Sequence, residues 1–267
     1  MPFTVSHAAV VWPFARTLNR RRLLSAVVIG SMVPDFGMFL PWRLIRWETH
    51  SAMALLNFCL PMGLASYWIF QRLVRTPMLE LLSEPAYSRA RAAPGPDLGS
   101  LRHWLYVACG ILLGAVSHLV WDGFTHEGAR GVRMIPALDD PMLDVGGHHL
   151  LGFKLLQHAS SLLGLAMVLW WALRLLRASG GQESMSRPLG KSERRIWWAA
   201  VWAMAVAVGV AWFFQMRAAE HQAHGASLTA TDVAVAGLRG LVTAVLTISS
   251  GLQIRLIAAK KKARPAT

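Results

Sequence analysis

The chain has 267 residues, of which 54% are hydrophobic and only 15% are charged. A soluble domain carries about 25% charged residues, and here the apolar residues are also gathered into long blocks, which is the pattern of a membrane protein. The net charge of +13 lies mainly in the segments between those blocks, and no nucleic-acid-binding motif accompanies it, so we expect no nucleic-acid partner.

Six apolar blocks follow one another along the chain, and each approaches the length of about 20 residues that crosses a bilayer. They lie at about 23–40, 52–70, 104–122, 159–176, 196–214 and 233–254. The pattern predicts an all-α, polytopic membrane protein with about six transmembrane helices. Pro34-Asp35 interrupts the first block, and Arg239 lies in the sixth. The segment from Phe3 to Leu18 is also rather apolar, and an additional short re-entrant helix there is left open.

The charges of the connecting segments predict an orientation. Arg and Lys concentrate in the first 22 residues, in the 71–103 and 174–195 loops and in the C-terminal tail, whereas the 123–158 loop is acidic. Basic segments face the cytoplasm, so both termini are predicted to be cytoplasmic in the cell (inner) membrane, with anionic lipid as a partner. We divide the chain into a helical membrane core over 1–165, further transmembrane helices over 166–255 and a basic cytoplasmic tail over 256–267.

His118, Asp122 and His126 end the third apolar block at spacings of four residues. Because a helix turns every 3.6 residues, this spacing stacks the three side chains on one helix face. Two imidazoles and a carboxylate are ordinary ligands of zinc or a similar divalent ion. Ionisable groups at the edge of a membrane span are costly, which favours a functional role. The alternative is that these side chains only hydrogen-bond to one another and to neighbouring helices.

Other ionisable residues are predicted to lie on the same, outer side of the membrane. Asp35 follows a proline that frees backbone groups, His50 precedes the second block with Glu48 as a second candidate ligand, and His158 opens the fourth. Taken alone, each of these two histidines is better explained by a structural role. His7 is the misfit, because a six-span model leaves it inside unless the N-terminal segment is re-entrant.

A Gly-Gly-His-His sequence lies in the acidic loop, at residues 146–149. The side chains of adjacent histidines point in different directions in most conformations, so the pair is a poor metal-binding unit. We therefore predict that this segment is a solvated loop.

Several short motifs follow one another in a fixed order along the first two thirds of the chain. They are PFTVSH (2–7), GSMVPD (30–35), THS (49–51), GAVSH (114–118) with Asp122 and Thr125-His126, and Gln157-His158. Taken together, these motifs resemble a bacterial domain-of-unknown-function family, number 4184, of multi-span membrane proteins. The resemblance runs through about residues 1–165, and the last third shows only generic spans.

The same order of motifs is similar, more distantly, to membrane-bound metal-dependent hydrolases and to the zinc-dependent phospholipase C superfamily. Those all-helical enzymes hold zinc ions through His and Asp and cleave phosphodiesters. The soluble enzymes also use their N-terminal amine and further His and Glu ligands, which have no assigned counterpart in this chain. The resemblance implies that the metal ligands are His7, Asp35, His50, His118 and Asp122, with His126 and His158 as candidates.

Two classes of function follow from these observations. The first is a hydrolase with a His/Asp divalent-metal site at the outer interface, zinc being the expected ion and a lipid or phosphoester the expected substrate. The second is a non-enzymatic membrane protein in which the cluster binds or conducts an ion or joins helices through hydrogen bonds. The sequence leaves open which of the two applies, and also the number of metal ions and the oligomeric state.

Overall fold

The structure, a computed structural model, describes residues 4–40, 46–93, 95–177, 187–223 and 230–262. The chain forms two compact units. Unit 1 comprises Met1–Trp68 and Ala93–Arg177, and unit 2 comprises Ile69–Ala92 and Ala178–Thr267. Of the predicted basic tail, residues 263–267 lie outside the described residues, while the last helix continues to Lys262.

The described residues are almost entirely helical, which confirms the all-α prediction. In chain order the α-helices are α1 (Ala15–Arg20), α2 (Leu24–Gly30), α3 (Arg46–His50), α4 (Leu60–Ile69), α5 (Arg75–Leu81), α6 (Glu84–Ala92), α7 (Leu101–Thr125), α8 (Arg130–Met134), α9 (Gly152–Arg177), α10 (Lys191–Ala223) and α11 (Ala230–Lys262). Tighter 3₁₀ turns cover Thr4–Phe14, Val33–Phe39 and Pro136–Leu138, and π-helical turns cover Leu55–Cys59 and Phe70–Val74. The strands are β1 (Pro141–Val145) and β2 (His148–Leu151).

Four described helices are long and apolar enough to cross a membrane, which supports a membrane protein. Their candidate spans are Leu101–Thr125, Gly152–Arg174, Lys191–Ala218 and Asp232–Ala258, and they contain or overlap the last four predicted blocks. Neither the first two predicted spans nor an N-terminal re-entrant helix is confirmed in the described part of the chain. The first block is divided because α2 ends at Gly30 and the chain then tightens into the 3₁₀ turns. Within the second block, Pro61 has no N–H to donate, and the turn before it is π-helical.

Glycines allow α2 and α7 to lie in direct backbone contact in unit 1. A Cβ added to Gly30 would lie 2.3 Å from the carbonyl oxygen of Ile111, and one added to Gly114 would lie 2.4 Å from that of Val27. Side-chain-free positions of this kind are how membrane helices approach closely. The contact sets the position of the C-terminal end of α2 along the axis of α7.

Unit 2 is built around the pair α10 and α11, which also approach through small residues. A Cβ on Gly240 would lie 2.2 Å from the carbonyl oxygen of Ala205. Beside this pair, the buried Arg187 guanidinium donates to Glu84 at 2.9 Å and to the carbonyl oxygen of Glu80 at 2.7 Å. It also lies 4.0 Å from the ring centre of Tyr87. This network ties the segment before α10 to α5 and α6.

Residues 146–149, predicted to be a solvated loop, instead form the turn of a β-hairpin and the beginning of its second strand, β2. β1 and β2 pair antiparallel, and Gly146 and Gly147 adopt φ values of 60° and 80° between them. Positive φ at both central residues defines the turn that matches the twist of a hairpin. The prediction of solvation is confirmed for His149, whose side chain is 69% exposed.

Candidate metal centre

His118 and Asp122 lie one turn apart near the end of α7, and both are buried. The close packing of α2 on α7 brings the carbonyl oxygen of Ser31 to 2.8 Å from Nδ1 of His118. A carbonyl accepts only from a protonated nitrogen, so Nδ1 carries the hydrogen and Nε2 keeps a free lone pair. This is the arrangement in which a histidine is oriented for metal binding through Nε2.

Asp35 reaches the same place from the 3₁₀ turns that follow α2. Pro34 stands at the start of these turns, where its missing N–H costs nothing, and Asp35 follows it into the interior at 3% exposure. The hydroxyl of Thr4 donates to Oδ2 of Asp35 at 2.7 Å. That bond orients the carboxylate so that Oδ1 faces the histidines.

His7 and His50 complete the cluster from two further segments of unit 1. The ring of His7 stacks on that of His118 with 3.8 Å between centroids, and the ring of His50 meets it edge-on at 5.4 Å. Nδ1 of His50 lies 2.6 Å from the hydroxyl of Thr49, which leaves Nε2 directed inward. His7 therefore lies within the cluster, where a simple six-span arrangement did not place it.

The distances between the facing atoms match those between ligands of one small ion. Nε2 of His118 lies 3.7 Å from Oδ1 of Asp35 and 3.6 Å from Oδ2 of Asp122. Nε2 of His50 lies 3.3 Å and 3.6 Å from the same two oxygens, and Nε2 of His7 lies 3.7 Å from Oδ1 of Asp122. Ligands held tetrahedrally at about 2.1 Å from a zinc ion are about 3.4 Å apart.

Four of these six facing atoms have no hydrogen-bond partner among the described residues. Nε2 of His7, His50 and His118 and Oδ1 of Asp122 are all buried and unpaired in the described structure. Each such atom costs about 1–3 kcal/mol, so several of them converging on one point need an explanation. Two groups of residues have ligand atoms close enough to hold an ion, His7 with Asp35 and His118, and His50 with His118 and Asp122.

His7 and His126, which lie outside the candidate membrane spans, are kept neutral by their surroundings because their pKa values are lowered. Burial, and secondly the neighbouring His118, lower the pKa of His7 from 6.5 to about 4. Burial also lowers the pKa of His126. At neutral pH both imidazoles therefore have a free lone pair, which is the form that binds metal.

The remaining predicted residues occupy different positions. His126 lies just beyond α7, where its Nδ1 is 3.2 Å from the carbonyl oxygen of Asp122 and 3.6 Å from Oδ2 of the same residue, and its Nε2 is buried and unpaired. It borders the cluster but belongs to neither group. His158 is exposed on α9, as is Glu48 on α3, and neither belongs to the two groups.

Sequence reasoning missed Thr4, Ser31 and Arg46. Nη2 of Arg46 donates to Oδ2 of Asp122 at 2.7 Å, and its side chain is 42% exposed. A signal for Arg46 was present, because it precedes His50 by four residues and shares its face of α3. Thr4 and Ser31 act through a hydroxyl and a backbone carbonyl, which no spacing singles out.

Comparison with known proteins identifies the family and nothing beyond it. The model of the family described as Domain of unknown function (DUF4184) matches residues 1–250. The match confirms the family resemblance and extends it beyond the first 165 residues. No curated protein and no solved structure matches the chain, so the more distant resemblance to hydrolases has no support from a relative.

Proposed function

The chain belongs to this domain-of-unknown-function family, and we propose that it is an integral membrane protein that holds a divalent metal ion. The ligands are drawn from His7, Asp35, His50, His118 and Asp122. The observation that carries this proposal is the convergence of buried nitrogen and oxygen atoms from four segments of the chain, with unpaired atoms on three of those segments. Hydrogen bonding between helices accounts for it less well, because several of these buried atoms face one another at 3.3–3.7 Å and have no hydrogen-bond partner. His158 is left out of the proposed set because it is exposed.

A single ion fits the chemistry of His118. Both groups of ligand atoms include this residue, and its Nδ1 is already engaged by the carbonyl oxygen of Ser31. Nε2 is then its one free lone pair and can serve one ion. Imidazole nitrogens with carboxylate oxygens are the donor set that zinc takes in proteins, so we propose zinc.

The finer proposal is a hydrolase that acts on a phosphoester or lipid-type substrate. A zinc ion bound there would lower the pKa of a bound water towards about 7 and polarise the oxygen under attack. The partly exposed side chains of Arg46 and His126 mark the side from which water and substrate enter. Neutral His126 borders Asp122 and can accept a proton at that opening.

The membrane topology is part of the same proposal. Six spans with cytoplasmic termini put the end of α7, and with it the cluster, at the outer side of a bacterial inner membrane. A site at headgroup depth favours a lipid-type substrate over a soluble one. An epitope tag or a reactive cysteine placed in the 141–151 hairpin, probed on intact cells, tests this orientation.

A non-enzymatic ion-binding protein is the alternative, and one observation favours it. The two groups together offer five protein donors. An ion held by four or more of them has no open position for water, as in structural zinc sites. Activity on a chromogenic phosphodiester, measured with zinc-loaded protein, separates the two functions.

The first experiment measures metal in protein purified in detergent without chelator. We expect about one equivalent of a divalent ion in the wild type and loss of that ion in Asp122→Asn and His118→Ala. His149→Ala is the matched control, because this exposed histidine of the hairpin is expected to leave the content unchanged. A wild type that stays metal-free after incubation with zinc or manganese would overturn the proposal.

A further inference from the structure

Arg46 stands between the buried cluster and its exposed side. One of its N–H groups donates to Oδ2 of Asp122. The side chain of Arg46 is 42% exposed, whereas that of Asp122 is 4% exposed. A guanidinium presents five N–H donors in a rigid plane. In the described part of the chain the guanidinium is held by Asp122 alone, so the donors that do not contact Asp122 are available on the exposed side of the site.

Arg46 is placed by its neighbour in α3, the proposed metal ligand His50, and by its bond to Asp122. It lies one turn before His50 on the short helix α3, whose last residue is part of the cluster. Fixing His50 at the site fixes Arg46 beside it, and the bond to Asp122 sets the orientation of the guanidinium. Such preorganisation reduces the entropy that is lost when the arginine binds a second anion.

The positive charge of Arg46 in this position favours the binding of negatively charged molecules. The carboxylates of Asp35 and Asp122 are covered, so an incoming group meets the guanidinium first. Arginine recognises tetrahedral oxyanions through two parallel hydrogen bonds, which a phosphate group offers. An uncharged ester would leave these donors without a charged acceptor.

We propose that Arg46 binds the phosphate oxygens of the substrate, so that the substrate class is a phosphate-bearing molecule. This inference rests on the proposed metal site. It assigns to Arg46 a role in binding substrate that is separate from holding the ion. A purely structural Arg46 would neutralise Asp122 and have no effect on phosphate.

The test compares zinc-loaded wild type with Arg46→Gln and Arg46→Lys, each titrated calorimetrically with inorganic phosphate. Metal content is measured first. We expect Arg46→Gln to retain its ion and to weaken phosphate binding about tenfold or more, the equivalent of one lost charge-assisted hydrogen bond. Arg46→Lys should recover part of the affinity, because it keeps the charge without the planar fork.

The control is Arg102→Gln, an exposed arginine in the first turn of α7, at the other end of that helix from the cluster. Its phosphate affinity should equal that of the wild type. Zinc-loaded wild type that does not bind phosphate, or an Arg46→Gln protein that binds it unchanged, overturns this inference and leaves the metal site standing. Loss of the ion in both Arg46 variants makes Arg46 a positioning residue for Asp122 and also overturns it. A wild type without metal removes the proposed function itself.

A second arm distinguishes a lipid headgroup from free phosphate. It uses a short-chain phosphatidic acid below its micelle concentration. Tighter binding of this lipid than of inorganic phosphate, lost in Arg46→Gln, assigns the headgroup of a lipid. Equal or weaker binding assigns a free phosphate compound.

Discussion

Replacing Thr4 by Val tests the metal centre without altering any proposed ligand. The hydroxyl of Thr4 donates to Oδ2 of Asp35 at 2.7 Å in a buried contact, and the two residues are 31 positions apart in the chain. Valine has nearly the same shape but cannot donate. The substitution therefore removes the bond that orients the Asp35 carboxylate towards His50 and His118.

The magnitude follows from the character of the lost bond. A buried hydrogen bond to a charged group contributes about 1.5–3 kcal/mol. Loss of a partner that orients a metal ligand typically lowers metal affinity about 10–100-fold, or roughly 1.4–2.7 kcal/mol. The two ranges agree, so we expect Thr4→Val to weaken zinc binding by about one to two orders of magnitude.

The assay is a competition of the purified protein with a chromogenic zinc chelator, which gives the Kd. Thr4→Ser keeps the hydroxyl and should bind zinc nearly as well as the wild type, which controls for packing at this position. Asp35→Asn should lose at least as much affinity as Thr4→Val. If Thr4→Val and Asp35→Asn both bind zinc like the wild type, Asp35 is not a ligand and the reasoning fails.

Three further predictions concern packing and charge. Gly114→Ala should destabilise the fold by about 1–3 kcal/mol and weaken metal binding, because the added Cβ would meet the backbone of α2 and displace Ser31 from His118. The measurement is thermal unfolding. The control is Gly123→Ala on the same helix, where the added Cβ has no atom within contact distance. Arg187→Met should lower the free energy of unfolding by about 3 kcal/mol, since it strands the carboxylate of Glu80, while the zinc content should stay unchanged because both residues lie in unit 2. In the metal-free protein the pKa of His7 is lowered to about 4. Between pH 6.5 and 4, His7 is therefore protonated in the unfolded chain and neutral in the folded chain. Stability should therefore be highest above pH 6.5 and fall as the pH drops through that window, and His7→Gln should lose this part of the slope; an identical slope in that variant would show that another group is responsible.

The segments whose structure the sequence predicted are those governed by local spacing. Four long apolar runs became four helices of spanning length, because in each of them the apolar stretch alone meets the length that a bilayer requires. The spacing of four residues placed His118 and Asp122 on one face of α7, since helix geometry depends only on neighbours along the chain. Pro34 indicated the interruption of the first apolar block, after which the side chain of Asp35 is buried.

The division of the first two apolar blocks was not visible in the same way. Each contains enough apolar residues for a span, but the helix type changes within it, to 3₁₀ after α2 and to π before α4. These changes of helix type depend on which backbone N–H group each carbonyl oxygen accepts from in the folded protein. The hairpin at residues 141–151 could have been recognised from Gly146-Gly147, whose positive φ values suit a two-residue turn.

The sequence by itself indicated a helical protein of membrane type, the family to which it belongs and the His and Asp residues that are candidate metal ligands. Only the tertiary structure decided which of them meet. His7, Asp35 and His50 come from separate segments, and each of them meets His118 only through the packing of its own segment in unit 1. The same packing brings Thr4 and Ser31 to the back of the cluster, and α3 places Arg46 on its exposed side. Spacing along a helix is fixed by the geometry of one chain segment, whereas contacts between segments depend on the packing of side chains that lie far apart in sequence.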